Sequence, residues 1–289
     1  MIPKRGILIP ILTVALFAVG AAAAQLSQDI VYVTVTVTGP KKAPAPGLKA
    51  TNFQIWEDNV EQRITAFSPS DGVWDINVVL ANGAVMPGRA DRTSNAIRDA
   101  VDLFIKTSNP MDKIKVEELK FGSDGLYAAI DRNLEDLQKT ANPRRALVVI
   151  TDGFDMPGGD ASNGLIEFSR KLNIPIYFLY TRTHPTDLGD TSVVGARGMN
   201  YNIPEGEALT NVAQNTGGSI EFVDALNQLE THCKLLAEEL RNKYVLGFKS
   251  TNDAKDDKWR KLKVKINPPA GQKLDASIKA KYFVPKPLK

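Results

Sequence analysis

The residues whose types could do covalent or metal chemistry are few. The chain of 289 residues has one cysteine and two histidines, so thiol or imidazole chemistry must use Cys233, His184 or His232. A thiol nucleophile needs an imidazole within hydrogen-bond reach to take its proton. His232 and Cys233 are adjacent in a stretch with helical apolar spacing, Ala225-Leu226-x-x-Leu229-x-x-x-Cys233-x-Leu235-Leu236-x-x-x-Leu240. Neighbours i and i+1 on a helix do not share a face, so the pair is poor evidence for a thiol enzyme, and Cys233 reads as a buried helix residue. His184 falls in the loop Thr181-Arg182-Thr183-His184-Pro185-Thr186-Asp187, without ligand-type neighbours at metal spacing. No Gly-x-Ser-x-Gly elbow, phosphate-cradling loop or paired zinc motif occurs. One carboxylate stands in a telling place. The run Arg145-Ala146-Leu147-Val148-Val149-Ile150-Thr151-Asp152-Gly153 reads as a buried strand ending in a Thr-Asp-Gly turn, where Asp152 projects from the carboxyl edge of a sheet. Its structural role there is a capping or turn carboxylate. A hydrolase or thiol enzyme built on Asp152, His184 or Cys233 is one function class, and it requires those groups to meet in space.

The elements that must position these residues follow from hydrophobic texture. Apolar runs of strand length, Trp74 to Leu80, Ala146 to Ile150 and Ile174 to Tyr180, alternate with helical patterns at Thr93 to Lys106, Gly125 to Lys139 and Leu165 to Leu172. Continuous apolar strands separated by amphipathic helices indicate an α/β fold: a doubly wound, mostly parallel sheet with helices on both faces, whose ligands sit at the carboxyl ends of the strands. Helices at Glu205 to Asn215 and Asp224 to Asn242 continue the pattern. Before this region, Ile30 to Thr38 alternates β-branched and aromatic positions, and Asn52 to Glu57 and Gln62 to Phe67 read as strands around the turn Asp58-Asn59. After it come strand-like segments at Tyr244 to Phe248, Leu262 to Ile266 and Ala276 to Phe283. These late strands are expected to pair with the early ones, so that both ends of the chain close one small accessory β layer. The expected organisation is an N-terminal β segment over 25–70, the α/β domain over 71–243 and a C-terminal β segment over 244–289.

The first 24 residues read differently. Lys4 and Arg5 precede an apolar run from Ile7 to Val19, which ends in Gly20-Ala21-Ala22-Ala23-Ala24 before Gln25-Leu26-Ser27-Gln28. A charged start, a short apolar run and small residues at the cut site describe a secretory signal, with cleavage after Ala24. The alternative, an uncleaved anchor, falls short of the roughly 20 apolar residues a spanning helix needs. Without Lys4 and Arg5 the 36 basic residues become 34 against 33 acidic ones. A chain so close to neutral has little electrostatic reason to seek nucleic acid or an anionic membrane. The lone cysteine has no disulfide partner, so the fold must be held by its core.

The Thr151-Asp152-Gly153 strand end, the early Asn52-Phe53 to Glu57-Asp58 segment and the late Leu240-Arg241-x-x-Tyr244-x-Leu246-Gly247-Phe248 segment occur in an order that resembles the von Willebrand factor A-like (VWFA) domain proteins. The likeness is strongest to the secreted bacterial subgroup called the VWFA-related acidobacterial domain, and it spans nearly the whole chain after the signal. The resemblance implies a metal-ion-dependent adhesion site at the strand ends: Asp-x-Ser-x-Ser after the first strand, a Thr on a second loop and an Asp on a third. Such oxygen ligands suit Mg2+ or Mn2+. Here the first loop reads Ala81-Asn82-Gly83-Ala84-Val85-Met86, which puts Ala81, Gly83 and Val85 at the three ligand positions. On the second loop, Asp124-Gly125-Leu126-Tyr127-Ala128-Ala129-Ile130 places Asp124 at the Thr position and Ala128 at the adjoining Asp. Only Asp152 matches outright. The connection from Lys113 to Phe121 is short, as if an element usual in the family had been trimmed.

These readings set the expectations. The function expected is a secreted or periplasmic, non-enzymatic VWFA-like module that mediates protein–protein interaction or assembly at the cell envelope, with a degenerate metal site and no cofactor. It would engage no nucleic acid and keep no stable membrane insertion after signal removal. The expected binding rim comprises Asn82, Gly83, Met86, Asp124, Asp152, Asp155, Arg197 and Tyr201, the last two on the long segment Thr181 to Pro204, whose length is unusual for a passive loop. The alternative is a divalent-cation-dependent adhesion module that uses Asp124 and Asp152 as a residual metal site. The second alternative is the enzyme described above.

Overall fold

The computed structural model describes residues 30–81, 90–119, 125–151, 164–166, 168, 172, 174–181, 204–279, 281–284 and 286. The chain opens with β1 (Ile30–Thr38), β2 (Phe53–Glu57), β3 (Val60–Gln62) and β4 (Ile64–Ser68). In β1 the valines at 33, 35 and 37 point inward while the threonines between them are partly exposed, the alternation that β-branched residues at period two produce. The turn from β2 to β3 needs two residues with positive φ, and Asp58 (φ 46°) and Asn59 (φ 70°) supply them. The single strand expected over Gln62 to Phe67 divides: β3 stays beside β2, while β4 joins the other sheet of the β unit. Arg63 is the corner at which the chain changes sheets.

The α/β region follows: β5 (Asp75–Ala81), α1 (Ala90–Thr107), β6 (Lys113–Glu118), α2 (Leu126–Gln138), β7 (Arg145–Thr151), β8 (Ile176–Thr181), α3 (Pro204–Thr216), β9 (Ile220–Val223) and α4 (Leu229–Arg241). The five strands pair in parallel in the order β6-β5-β7-β8-β9. Every residue of β5 and β8 is buried, as continuous apolar strands inside a two-faced sheet must be. Alternate side chains feed two cores. Ile76, Val78, Leu80, Val148 and Leu179 pack with α1 and α4. On the other face Val79, Leu147, Val149 and Phe178 pack with α2 and α3. Fully burying each such side chain is worth about 1.5–3 kcal/mol, which joins the sheet and these helices in one body.

The chain ends with β10 (Lys243–Lys249), β11 (Lys258–Ile266), β12 (Asp275–Ile278) and β13 (Lys281–Val284). The accessory β layer resolves into two antiparallel four-stranded sheets, β12-β1-β10-β4 and β13-β11-β2-β3, each mixing strands from both ends of the chain. They share a core that includes Val33, Val35, Phe53, Ile55, Tyr244, Leu246, Phe248 and Leu262. The α/β body meets this sandwich at Arg144, which is 1% exposed. Its guanidinium donates to Ser68 Oγ (3.3 Å), Pro69 O (2.9 Å) and Lys243 O (3.0 Å), the points where the chain leaves β4 and enters β10. It also lies 4.6 Å from the centre of the Trp74 ring, whose Nε1 donates to Leu240 O at 3.1 Å. Burial pulls the Arg144 pKa down to about 10, against the opposing pull of Asp112 and Asp71.

Candidate functional site

The strand order places the reversal of winding between β5 and β7: from β5 the chain crosses outward to β6 on one side, then returns to build β7, β8 and β9 on the other. In open α/β sheets, ligands bind outside the carboxyl ends of the strands at this reversal. Ala81, the last residue of β5, is the register partner of Thr151, the last residue of β7. Thr151 in turn pairs with Tyr180 of β8, and Thr181 Oγ1 donates to Thr151 O at 3.4 Å. Three neighbouring strands therefore end together, and segments 82–89, 152–163 and 182–203 all leave from this edge. Helix α2 starts at the same edge after Gly125, which takes a positive φ of 87° that a side chain would strain.

All eight residues of the expected rim, Asn82, Gly83, Met86, Asp124, Asp152, Asp155, Arg197 and Tyr201, lie outside the described residues, as do the signal segment and His184. The edge from which they depart is described, and it is apolar. Ala81 is 5% exposed and belongs to the cluster of Leu126, Tyr127, Leu165 and Tyr180. Tyr180 meets Phe222 edge to face with ring centroids 5.8 Å apart. Tyr127 is 8% exposed, its hydroxyl is buried without a hydrogen-bond partner among the described residues, and burial raises its pKa. Ala81 presents a methyl group, packed into the core, at the position where the resemblance calls for a carboxylate. No group of three His, Cys, Asp or Glu side chains gathers elsewhere among the described residues.

The thiol lies elsewhere. Cys233 is 1% exposed in the core under α4, and burial, with Glu230 nearby, pushes its pKa up to about 12. His232 is turned away toward Glu221, its Nδ1 3.8 Å from a carboxylate oxygen. The helical spacing of Leu229, Cys233, Leu236 and Leu240 already indicated this burial, and all four are core residues.

A cavity of about 350 Å³ opens at the opposite, amino-terminal edge of the parallel sheet, between Arg145, Gln214 and Thr216 on one side and Tyr32, Lys243 and Tyr282 of the sandwich on the other. Three of its polar groups are engaged in the fold: Lys243 Nζ is 2.7 Å from Glu239 Oε1, Tyr282 donates to Glu57 at 2.6 Å, and Thr216 Oγ1 accepts from Ile176 N at 3.1 Å.

No protein-family model matches the chain, and no curated protein matches it. Among solved structures, similarity is found to a von Willebrand factor type A protein from Catenulispora acidiphila, at 10% identity and TM-score 0.41, over 89% of this chain and 72% of that one. It is also found to the D319A mutant of the PilB minor pilin from Streptococcus sanguinis, at 10% identity and TM-score 0.40, over 59% and 62% of the two chains. The conserved hypothetical protein BatB from Bacteroides thetaiotaomicron gives 16% identity and TM-score 0.37, over 58% of this chain and 97% of that one. Likenesses at this level transfer no residue role to this chain. The α/β class rests on the strand order and on helices covering both faces of the sheet.

Proposed function

We propose that the protein is an exported, non-enzymatic α/β module that mediates protein–protein interaction or assembly at the cell envelope, through the carboxyl edge of its parallel sheet and without a metal ion. The observation that carries this reading is the convergence of Ala81, Thr151 and Thr181 at the winding reversal, where three neighbouring strands end at one edge. Loops held on a rigid scaffold are where binding residues concentrate. The apolar setting of Ala81 supports the metal-free form of the reading. The burial and raised pKa of Cys233 support its non-enzymatic form, since the thiolate is the reactive species. The short apolar run ending at Ala24 supports export, and no helix among the described residues is long and apolar enough to cross a membrane.

The binding site is tested by capture of partners from envelope and culture fractions with wild type and with a deletion of Thr186 to Asn202. Loss of a specific partner from the deletion is the expected result; equal recovery removes the long loop from the site. Calorimetric titration with Mg2+ and Mn2+ is expected to give no binding heat for wild type. Heat that disappears in Asp152→Ala would establish the cation-dependent alternative. Mass spectrometry of the processed protein should find its N-terminus at Gln25.

A further inference from the structure

The second sheet of the sandwich, β13-β11-β2-β3, turns one face to the shared core and the other to solvent. Along β11 the core side carries Arg260, Leu262, Val264 and Ile266, so Trp259, Lys261, Lys263 and Lys265 share the outer side. Register adds to that side from both neighbours. Lys281 is opposite Lys261, Phe283 is opposite Trp259, and Trp56 is opposite Lys263. Four lysines and three aromatic rings therefore lie on one sheet face. Two carboxylates face them: Glu61, which pairs with Trp56 across the sheet and accepts a hydrogen bond from Gln54 Nε2 at 3.2 Å, and Asp58, whose Oδ1 accepts from Lys261 N at 2.8 Å.

Two features separate this face from an ordinary solvated one. Like charges directly opposite on neighbouring strands destabilise a sheet, yet Lys261 and Lys281 are such a pair. Among the described residues none of the four lysines forms an ion pair, whereas Lys258 and Lys286 nearby pair with Asp256 and Asp257. The second feature is the aromatic seating: Lys265 Nζ lies 5.3 Å from the Trp56 ring centre, and Lys281 Nζ lies 4.7 Å from that of Trp259. Trp259 and Phe283 meet edge to face, 5.4 Å apart. The rings seat two of the four ammonium groups, and Lys261, Lys263 and Lys265 follow one another along β11 with backbone steps of roughly 7 Å.

We propose that this face docks on an anionic lipid membrane surface. A basic sheet face complements a plane of negative headgroups, where each nearby lysine strengthens binding by roughly fivefold. Tryptophan, apolar in body and polar at its N–H, is suited to headgroup depth. The rings here are half-buried and lie among the lysines, so contact is peripheral and reversible by salt. A single-stranded nucleic acid would instead stack its bases on open ring faces, and two of the three rings are capped by ammonium groups. Docking through the sandwich leaves the carboxyl edge of the parallel sheet free.

The test is cosedimentation of the full chain, and of the chain from Gln25, with vesicles of equal phosphatidylglycerol and phosphatidylcholine, against vesicles of phosphatidylcholine alone. Binding is expected to prefer the anionic vesicles and to be lost as salt rises toward about 0.5 M. The triple variant Lys261→Ser, Lys263→Ser, Lys281→Ser should bind roughly a hundredfold more weakly than wild type in the same leader state. The corresponding triple Lys→Arg variant should keep binding. Because all three lysines are exposed, the Ser variant should unfold at or above the wild-type temperature, which separates lost binding from lost folding. Equal binding to both vesicle types by the chain from Gln25, or unchanged binding by the triple Ser variant, would overturn the proposal. So would tighter binding to a single-stranded oligonucleotide or to polygalacturonate than to the anionic vesicles.

Discussion

Arg144 joins the two halves of the molecule. Its guanidinium donates to the carbonyls of Pro69 and Lys243 and stacks on Trp74, so removing it deletes the hydrogen bonds that tie β4 to β10 and uncovers the indole. Arg144→Ala should lower the unfolding free energy in urea by about 3 kcal/mol or more. Arg144→Lys should recover less than half of that, because an ammonium cannot reproduce the planar fork. Cys233 yields a prediction with a sign. Burial raises its pKa to about 12 from an unfolded value near 9, so between those values the folded state holds a proton that the unfolded state has lost. Stability contributed by the neutral thiol is therefore complete below about pH 9 and is lost as pH rises toward 12. Unfolding free energy measured across pH 8 to 11 should fall less steeply in Cys233→Ala than in wild type, whatever the offset from the cavity. A thiol reagent at neutral pH should label Cys233 only at the rate at which the protein opens.

At the level of elements, a buried polar network fixes how helix α2 sits on the sheet. Asn77 on β5 donates from Nδ2 to Asn133 Oδ1 at 2.9 Å, and Asn133 donates to Glu117 Oε2 on β6 at 2.6 Å and to Ala129 O at 2.8 Å. Asn133→Ala leaves the buried amide of Asn77 only its long 3.4 Å contact with the residue 133 carbonyl and should cost about 1–3 kcal/mol. Replacing both, as Asn77→Val with Asn133→Leu, should cost less than the sum of the single changes in a double-mutant cycle. The sequence made most of this framework legible, because β5, β7 and β8 are built on buried apolar runs, interrupted in β5 by Asn77, and the helices carry a clear periodicity. Two strands escaped for physical reasons. Edge strand β6 reads Lys-Ile-Lys-Val-Glu-Glu, and its alternating charges resemble a solvated loop. Strand β9 is only four residues long and follows a Gly-Gly turn. Gly218 in that turn is indispensable, since a Cβ there would sit 1.9 Å from Ile176 O. Gly218→Ala should therefore yield a protein that fails to reach the native near-UV circular dichroism spectrum. Every residue of the expected rim lies outside the described residues, so of the candidate site only the strand edge at Ala81 and Thr151 is described. The lysine face stayed hidden because it is assembled by register: no single segment brings Lys281 opposite Lys261.

For the whole molecule, the near-neutral balance of charges conceals their segregation. The carboxyl edge of the parallel sheet and the basic face of the sandwich occupy separate regions, so binding at one need not compete with binding at the other. The sandwich itself depends on both chain ends. Strand β10 lies between β1 and β4 in the first sheet, and truncation after Asn242 would strip β1 of that partner and Arg144 of its bond to Lys243. Such a truncation should lose the cooperative unfolding transition and become sensitive to proteases throughout residues 30–68, read by limited digestion. This arrangement also sets a schedule for assembly. Ile30 is among the first described residues to be made, and its register partner, Lys249, comes more than two hundred residues later. At a synthesis rate of about 5–20 residues per second, β1 waits roughly 10–40 s for that partner, and the intervening α/β region can form its own core first. Throughout that interval the nascent chain carries an open, β-branched edge that a chaperone can hold.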